Sequence, residues 1–204
     1  MMTDRARSMR YARQTAIAEI GVEGQRKLLE STVLLLVGDT GLPPLIKASL
    51  KAAGVGRVIR LTGDPCSGRS DAWGDLGSNP DCRVEYAAAL PPRDPDVALI
   101  VGKAAECRLR LEGLAELGVK SPVVVCTGGP GVGETLICGA GLSKEEYDCA
   151  LRRCVAEDSP PDADVLFAAV GEVVKVIVGN AGLPLCRAVI FNGLLGGTRD
   201  CEAD

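Results

Sequence analysis

The residues best placed to do chemistry form a short turn, Gly38-Asp39-Thr40-Gly41-Leu42-Pro43, between an aliphatic run and a helical stretch. The run is Thr32-Val33-Leu34-Leu35-Leu36-Val37 and reads as a buried strand. At such a strand–turn–helix junction a G-x-G-x-x-G loop brings backbone N–H groups against a nucleotide pyrophosphate. Here Gly38 keeps the first glycine position and Gly41 stands beside the pattern. Thr40 and Pro43 fill the second and third positions. Asp39 adds a carboxylate where phosphate oxygens would lie, at a Coulomb cost of ~1 kcal/mol or more even in a high dielectric. Pro43 has no N–H to donate. The turn therefore pairs a nucleotide-binding scaffold with impaired phosphate chemistry. The alternative is simply the tight turn that a strand-to-helix junction requires.

Other groups set further limits. There is no histidine, which removes the commonest general base and metal ligand. Nine cysteines fall at 66, 82, 107, 126, 138, 149, 154, 186 and 201, with no C-x-x-C pair. That spacing predicts buried, reduced thiols and no zinc site. No metal site is expected from any other cluster. Arg10 and Arg13 offer rigid guanidinium forks that suit phosphate oxygens, although terminal arginines commonly lie in a solvated segment. Lys103 follows an aliphatic run, at a strand end where ligands bind in such sheets. Cys126 ends another such run and reads as a buried strand cysteine.

The elements that must position these groups follow from apolar patterning. Residues 1–31 carry helical spacing in two short helices, with Gly21 and Gly24 breaking the middle. Strands are expected at 32–37, 57–61, 83–87, 96–101, 122–126, 135–138 and 187–191, that at 83–87 on an edge. Helices are expected at 45–53, 104–117, 143–157 and 164–178. The third follows the capping box Ser143-Lys144-Glu145-Glu146, and the last carries a clear 3.6-residue apolar stripe. Residues 63–81 read as a loop, 128–133 as a flexible turn or phosphate nest, and 159–162 as a hinge-like loop. The expected fold is α/β: a doubly wound, mainly parallel Rossmann-like sheet with an antiparallel C-terminal part. It forms one domain over 1–204, with a helical segment at 1–31 and the core at 32–204.

Composition agrees. Aromatic residues make up only 3% of the 204 residues, so the core is aliphatic, as suits strands buried on both faces. A net charge of −4 argues against nucleic acid or an anionic membrane as partner. No apolar run is long enough to span a bilayer. Four arginines in the first thirteen residues are followed by no apolar block, unlike a signal peptide. A cytoplasmic location is expected.

The N-terminal third resembles the ThiF/MoeB/HesA family, bacterial relatives of ubiquitin-activating enzymes. The resemblance rests on Arg10-Tyr11-Ala12-Arg13-Gln14, on Ile20-Gly21-Val22-Glu23-Gly24-Gln25-Arg26-Lys27-Leu28, on the strand and glycine turn, and on Ala52-Ala53-Gly54-Val55-Gly56. It thins after residue 64 and returns at Asn79-Pro80-Asp81, at the strand from Asp96, and near Val170-Gly171 and 187–193. The family binds ATP and magnesium, adenylates the C-terminus of a ubiquitin-like sulfur carrier or a peptide, and usually dimerises.

Carried over position by position, much of that equipment is absent. The ribose-binding acidic position falls on Thr62, while Asp64 matches a neighbouring aspartate. The Asn-Leu-x-Arg-Gln phrase and the lysine-bearing helix have no counterpart among residues 65–78. The magnesium-holding aspartate falls on or beside Lys103, and the paired zinc cysteines are missing. The arginine that in dimeric relatives reaches the partner's ATP corresponds to the Arg10/Arg13 segment.

The resemblance thus implies a degenerate member with little or no ATP and magnesium binding. It would be a non-catalytic homodimer, or a heterodimer with an active relative, serving a ubiquitin-like sulfur carrier. In that reading Gly38, Gly41, Arg10 and Lys103 line what remains of the nucleotide site. An active adenylyltransferase with a remodelled pocket, using Arg13 and Asp64, is the alternative. A module for another small anionic ligand at Lys103 and the glycine turn is the third reading.

Overall fold

The computed structural model describes residues 4–38, 43–61, 79–129, 132–138, 161, 163–179, 186–192 and 197–202. Two helices, α1 (Asp4–Thr15) and α2 (Gly21–Glu30), precede the first strand. The expected glycine break between them holds only for Gly21, which turns the chain at φ 58°. Gly24 lies inside α2, where a side-chain carbon would stand 2.9 Å from Val178 Cγ1. There, glycine allows close packing of two helices and does not end one.

Then follow β1 (Thr32–Val37), α3 (Pro43–Ala53), β2 (Arg57–Leu61), β3 (Arg83–Ala87), β4 (Val97–Val101), α4 (Ala104–Glu116), β5 (Val123–Gly129), β6 (Val132–Cys138), α5 (Ala163–Val178), β7 (Cys186–Asn192) and β8 (Gly197–Glu202). They form one eight-stranded sheet in the order β3-β2-β1-β4-β5-β6-β7-β8. The first five strands are parallel, and the last three are added antiparallel. This is the expected Rossmann-like sheet with an antiparallel part, and β3 is an edge.

Side-chain alternation along the strands divides the core. Val33, Leu35 and Val37 face one layer with Leu28 of α2, Ile46 and Leu50 of α3, and Val165, Leu166 and Val173 of α5. Leu34 and Leu36 face the other, with Cys107, Leu111 and Leu114 of α4. Each fully buried aliphatic side chain contributes roughly 1.5–3 kcal/mol. Because both faces are covered, β1 reads as a continuous hydrophobic run and not an alternating one.

Two expectations need correcting. Residues 128 and 129 are not part of a loose turn: β5 runs through them and pairs Gly128 with Gly133 and Gly129 with Val132 in an antiparallel hairpin. Ladder hydrogen bonds, which need no side chains, hold the glycines in the sheet, and Gly128 uses a φ of 144° that other residues avoid. β8 was not anticipated, because Gly-Thr-Arg-Asp-Cys-Glu lacks apolar alternation; its register with β7 makes it a strand. The expected helix at 143–157 lies outside the described residues.

Candidate functional site

In this order β1 and β4 are neighbours, and the chain leaves them for helices on opposite faces, α3 and α4. A crevice opens at such a switch point outside the carboxyl ends of the strands, where open α/β sheets bind ligands. Its floor is backbone. Gly38 N–H donates to the Val101 carbonyl at 2.7 Å, and Gly102 N–H donates to the Cys126 carbonyl at 3.2 Å. The glycines face each other: a side-chain carbon built on Gly38 would stand 3.3 Å from Gly102 Cα.

The space that the missing side chains leave is taken by Glu106. Its Oε2 lies where a Gly38 side-chain carbon would be, and 2.7 Å from the corresponding point on Gly102. Glu106 is held there because it is the third residue of α4, and Lys103 N–H at the helix cap donates to its Oε2 at 3.2 Å. This is the carboxylate half of a capping box. A lysine side chain has no acceptor to return the bond. One turn on, Arg110 donates from Nη2 to the Val37 carbonyl at 3.3 Å. Glu106 forms no ion pair among the described residues.

The thiols nearby are structural. Cys107 and Cys126 are fully buried, and Cys82, Cys107 and Cys126 are free. Burial pushes the Cys107 thiol up to about 12; Arg110 lowers it and Glu106 raises it by lesser amounts. Such a thiol is not a nucleophile near neutrality. Among the described residues no group of His, Cys, Asp and Glu is arranged to hold a metal ion.

Of the residues singled out in the sequence, Gly38 and Lys103 meet at this crevice. Gly41, Asp64 and Asp39 lie outside the described residues. Arg10 and Arg13 stand elsewhere, because α1 packs on the amino-terminal side of the sheet. Gln14 there donates to the Ala52 carbonyl at 2.7 Å. Arg10 reaches Asn79 Oδ1 at 2.5 Å and Asp81 Oδ2 at 3.5 Å, beside Arg7, which holds Asp81 Oδ1 at 3.0 and 3.1 Å. Arg10 is thus engaged within its own chain. Arg13 is exposed and makes no hydrogen bond or ion pair among the described residues.

The residue missed was Glu106. Its only trace in the sequence is a glutamate three positions into a helix that follows a strand.

A groove of about 600 Å³ lies at the opposite end of the strands, lined by Lys27, Thr32, Arg57 and Asp96 among others. Its charges are largely spent. Lys27 donates to the Val178 carbonyl at 2.9 Å, Arg57 pairs with Glu85 at 2.5 Å, and Asp96 accepts from Thr32 N–H at 2.7 Å.

No family model matches the chain. The pig adenylyltransferase and sulfurtransferase MOCS3 is 28% identical over 198 residues, which cover 85% of this chain. Like the N-terminal phrases, this similarity points to the adenylyltransferases of the ThiF/MoeB type, which the chain resembles over most of its length.

It spans only 42% of the pig relative's length. The maize adenylyltransferase and sulfurtransferase MOCS3-1 is 46% identical over 55 residues, 27% of this chain and 12% of that protein. Among solved structures, Escherichia coli MccB crystallised with ATP superposes with a TM-score of 0.61 at 13% identity, covering 94% of this chain and 70% of MccB. PaaA superposes at 0.63 with 16% identity, covering 99% and 84%. These share the family's Rossmann-like fold. Among the described residues no helix is long and apolar enough to cross a membrane.

Proposed function

We propose that this ThiF/MoeB-type chain does not adenylate a substrate by itself. It acts in the cytoplasm as a dimeric partner or scaffold, with itself or with an active relative, in activating a ubiquitin-like sulfur carrier. The observation that carries this reading is Lys103 at the head of α4, beside the end of β4. The family resemblance puts a magnesium-holding aspartate at or beside that position. An ammonium group has no lone pair for a cation and carries the same sign of charge. The sequence of the glycine turn also carries a carboxylate, Asp39, directly after Gly38. These residues do not fit a magnesium-bound triphosphate, and no step through one is derived.

The test is magnesium-dependent ATP–pyrophosphate exchange by the purified chain with ubiquitin-like carrier proteins. A non-catalytic chain gives no exchange alone. Turnover above background with any carrier overturns the reading.

A second reading, an active adenylyltransferase with a remodelled pocket, has one observation in its favour. Arg13 is exposed and makes no hydrogen bond or ion pair among the described residues, which suits a role toward a second subunit. Exchange that depends on Arg13 and Asp64 would establish it.

A further inference from the structure

We infer that Glu106 is the specificity-determining residue of the switch-point crevice, and that its carboxylate keeps polyphosphate out. The inference rests on the non-catalytic reading of the same site and supplies a cause for it. Three features carry it. The side-chain oxygen stands on Gly38, the first residue of the phosphate turn, and close to Gly102. A phosphate oxygen in contact with Gly38 Cα on this side would have to displace the carboxylate. The pose is fixed by the helix cap, through Lys103 N–H at 3.2 Å, and is not a chance surface rotamer.

Among the described residues no ion pair holds the charge: Lys103 at the cap and Arg110 one turn on flank Glu106, and neither pairs with it. Arg110 spends Nη2 on the Val37 carbonyl at 3.3 Å. A phosphate at Gly38 would meet both the volume of the side chain and a like charge in a half-buried site, where repulsion exceeds that in bulk water. The backbone N–H of a helix cap is an anion site; here the protein has filled it with its own anion.

The experiment is isothermal titration of Mg·ATP into wild type, Glu106→Gln, Glu106→Ala and Glu106→Asp, each checked for folding by circular dichroism. Glu106→Gln keeps a cap acceptor and nearly the same volume but removes the charge. Glu106→Ala removes both, and Glu106→Asp keeps the charge. Wild type and Glu106→Asp are expected to bind no detectable nucleotide at millimolar ATP. Glu106→Gln and Glu106→Ala are expected to bind at sub-millimolar ATP, a gain of at least about tenfold over the millimolar limit at which wild type shows nothing.

Folded Gln and Ala variants that bind no tighter than wild type overturn the inference and leave the proposed function standing. Micromolar binding by wild type overturns the idea that the chain cannot take up nucleotide, whatever the variants do. If the Ala variant fails to fold, the Gln variant decides alone.

Discussion

Asn79 donates its side-chain amide to the Tyr11 hydroxyl at 2.8 Å and, with its second hydrogen, to the Lys51 carbonyl at 2.6 Å. One amide therefore ties α1 to the end of α3 and to the turn before β3. The Tyr11 hydroxyl passes the link on to Asp81 at 3.3 Å. The Asp81 side chain is only 4% exposed beneath Arg7 and Arg10. Asn79→Ala is expected to cost about 1–3 kcal/mol, because it leaves a partly buried hydroxyl and a carbonyl short of a donor. Tyr11→Phe should cost less, about 1 kcal/mol. Urea denaturation checks the magnitudes, and hydrogen exchange should show faster opening of α1 than of β1. Arg13→Ala, outside this clasp, should change stability by less than about 0.5 kcal/mol.

The contact between Gly24 and Val178 gives a prediction of opposite character. In an exposed helix, Gly→Ala gains up to about 1 kcal/mol. At Gly24 the new methyl would stand 2.9 and 3.3 Å from the two Val178 methyls and 3.4 Å from Ile20 Cγ2. Overpacking costs typically about 1–3 kcal/mol, so Gly24→Ala should be destabilising on balance. Val178→Ala should relieve the clash, and the pair should couple by about 1 kcal/mol in a double-mutant cycle. Strictly additive effects would refute the packing account.

Alkaline pH should weaken the fold through Cys107. Its thiol is raised from 9.0 to about 12 by burial. Below pH 9.0 both folded and unfolded states keep the proton, and the stabilisation is fully present. Between pH 9.0 and about 12 the unfolded chain loses this proton and the folded chain does not. Stability therefore falls by up to about 1.4 kcal/mol per pH unit for this group. The Tyr11 hydroxyl is also raised above its ordinary 10.0, by burial first, and acts with the same sign. Cys107→Ala should show a slope shallower by one proton over this window in urea titrations. An unchanged slope would show that the thiol is not what titrates.

The sheet was legible because both faces are covered, so Thr32–Val37 and Val97–Val101 stand out as aliphatic runs bounded by glycine. The helix boundaries at Ala53 and Glu116 were legible from the glycines that follow at 54 and 118, each with positive φ. Strand β8 was not, since a ladder on β7 needs no apolar side chains and leaves little trace in composition. The same holds for Gly128 and Gly129, whose backbone pairing outweighs their low strand preference. At the site, the sequence offered Gly38 and Lys103 because each ends an aliphatic run. Glu106 escaped notice because one charged residue in a first helical turn looks like any other. Only the folded chain shows that this turn faces Gly38. Arg10 was assigned to the nucleotide site through the family resemblance; its bonds to Asn79 and Asp81, 69 and 71 residues away in sequence, leave no local trace.

The fit of Glu106 onto the paired glycines can be tested without any ligand. An alanine at Gly38 would place its methyl on Glu106 Oε2 and drive the carboxylate off the strand end. Gly38→Ala should therefore cost about 1–3 kcal/mol. Gly113→Ala is the control, since Gly113 lies within α4 with nothing within 4 Å of its would-be side chain. That change should stabilise by about 0.5–1 kcal/mol through helix propensity. Glu106→Ala alone should cost about 1 kcal/mol for the lost cap. Combined with Gly38→Ala it should cost clearly less than the sum of the two, because the methyl then enters vacated space. A double variant that loses the full sum would mean that the carboxylate is not seated on Gly38 in solution, and would remove the geometric basis for phosphate exclusion.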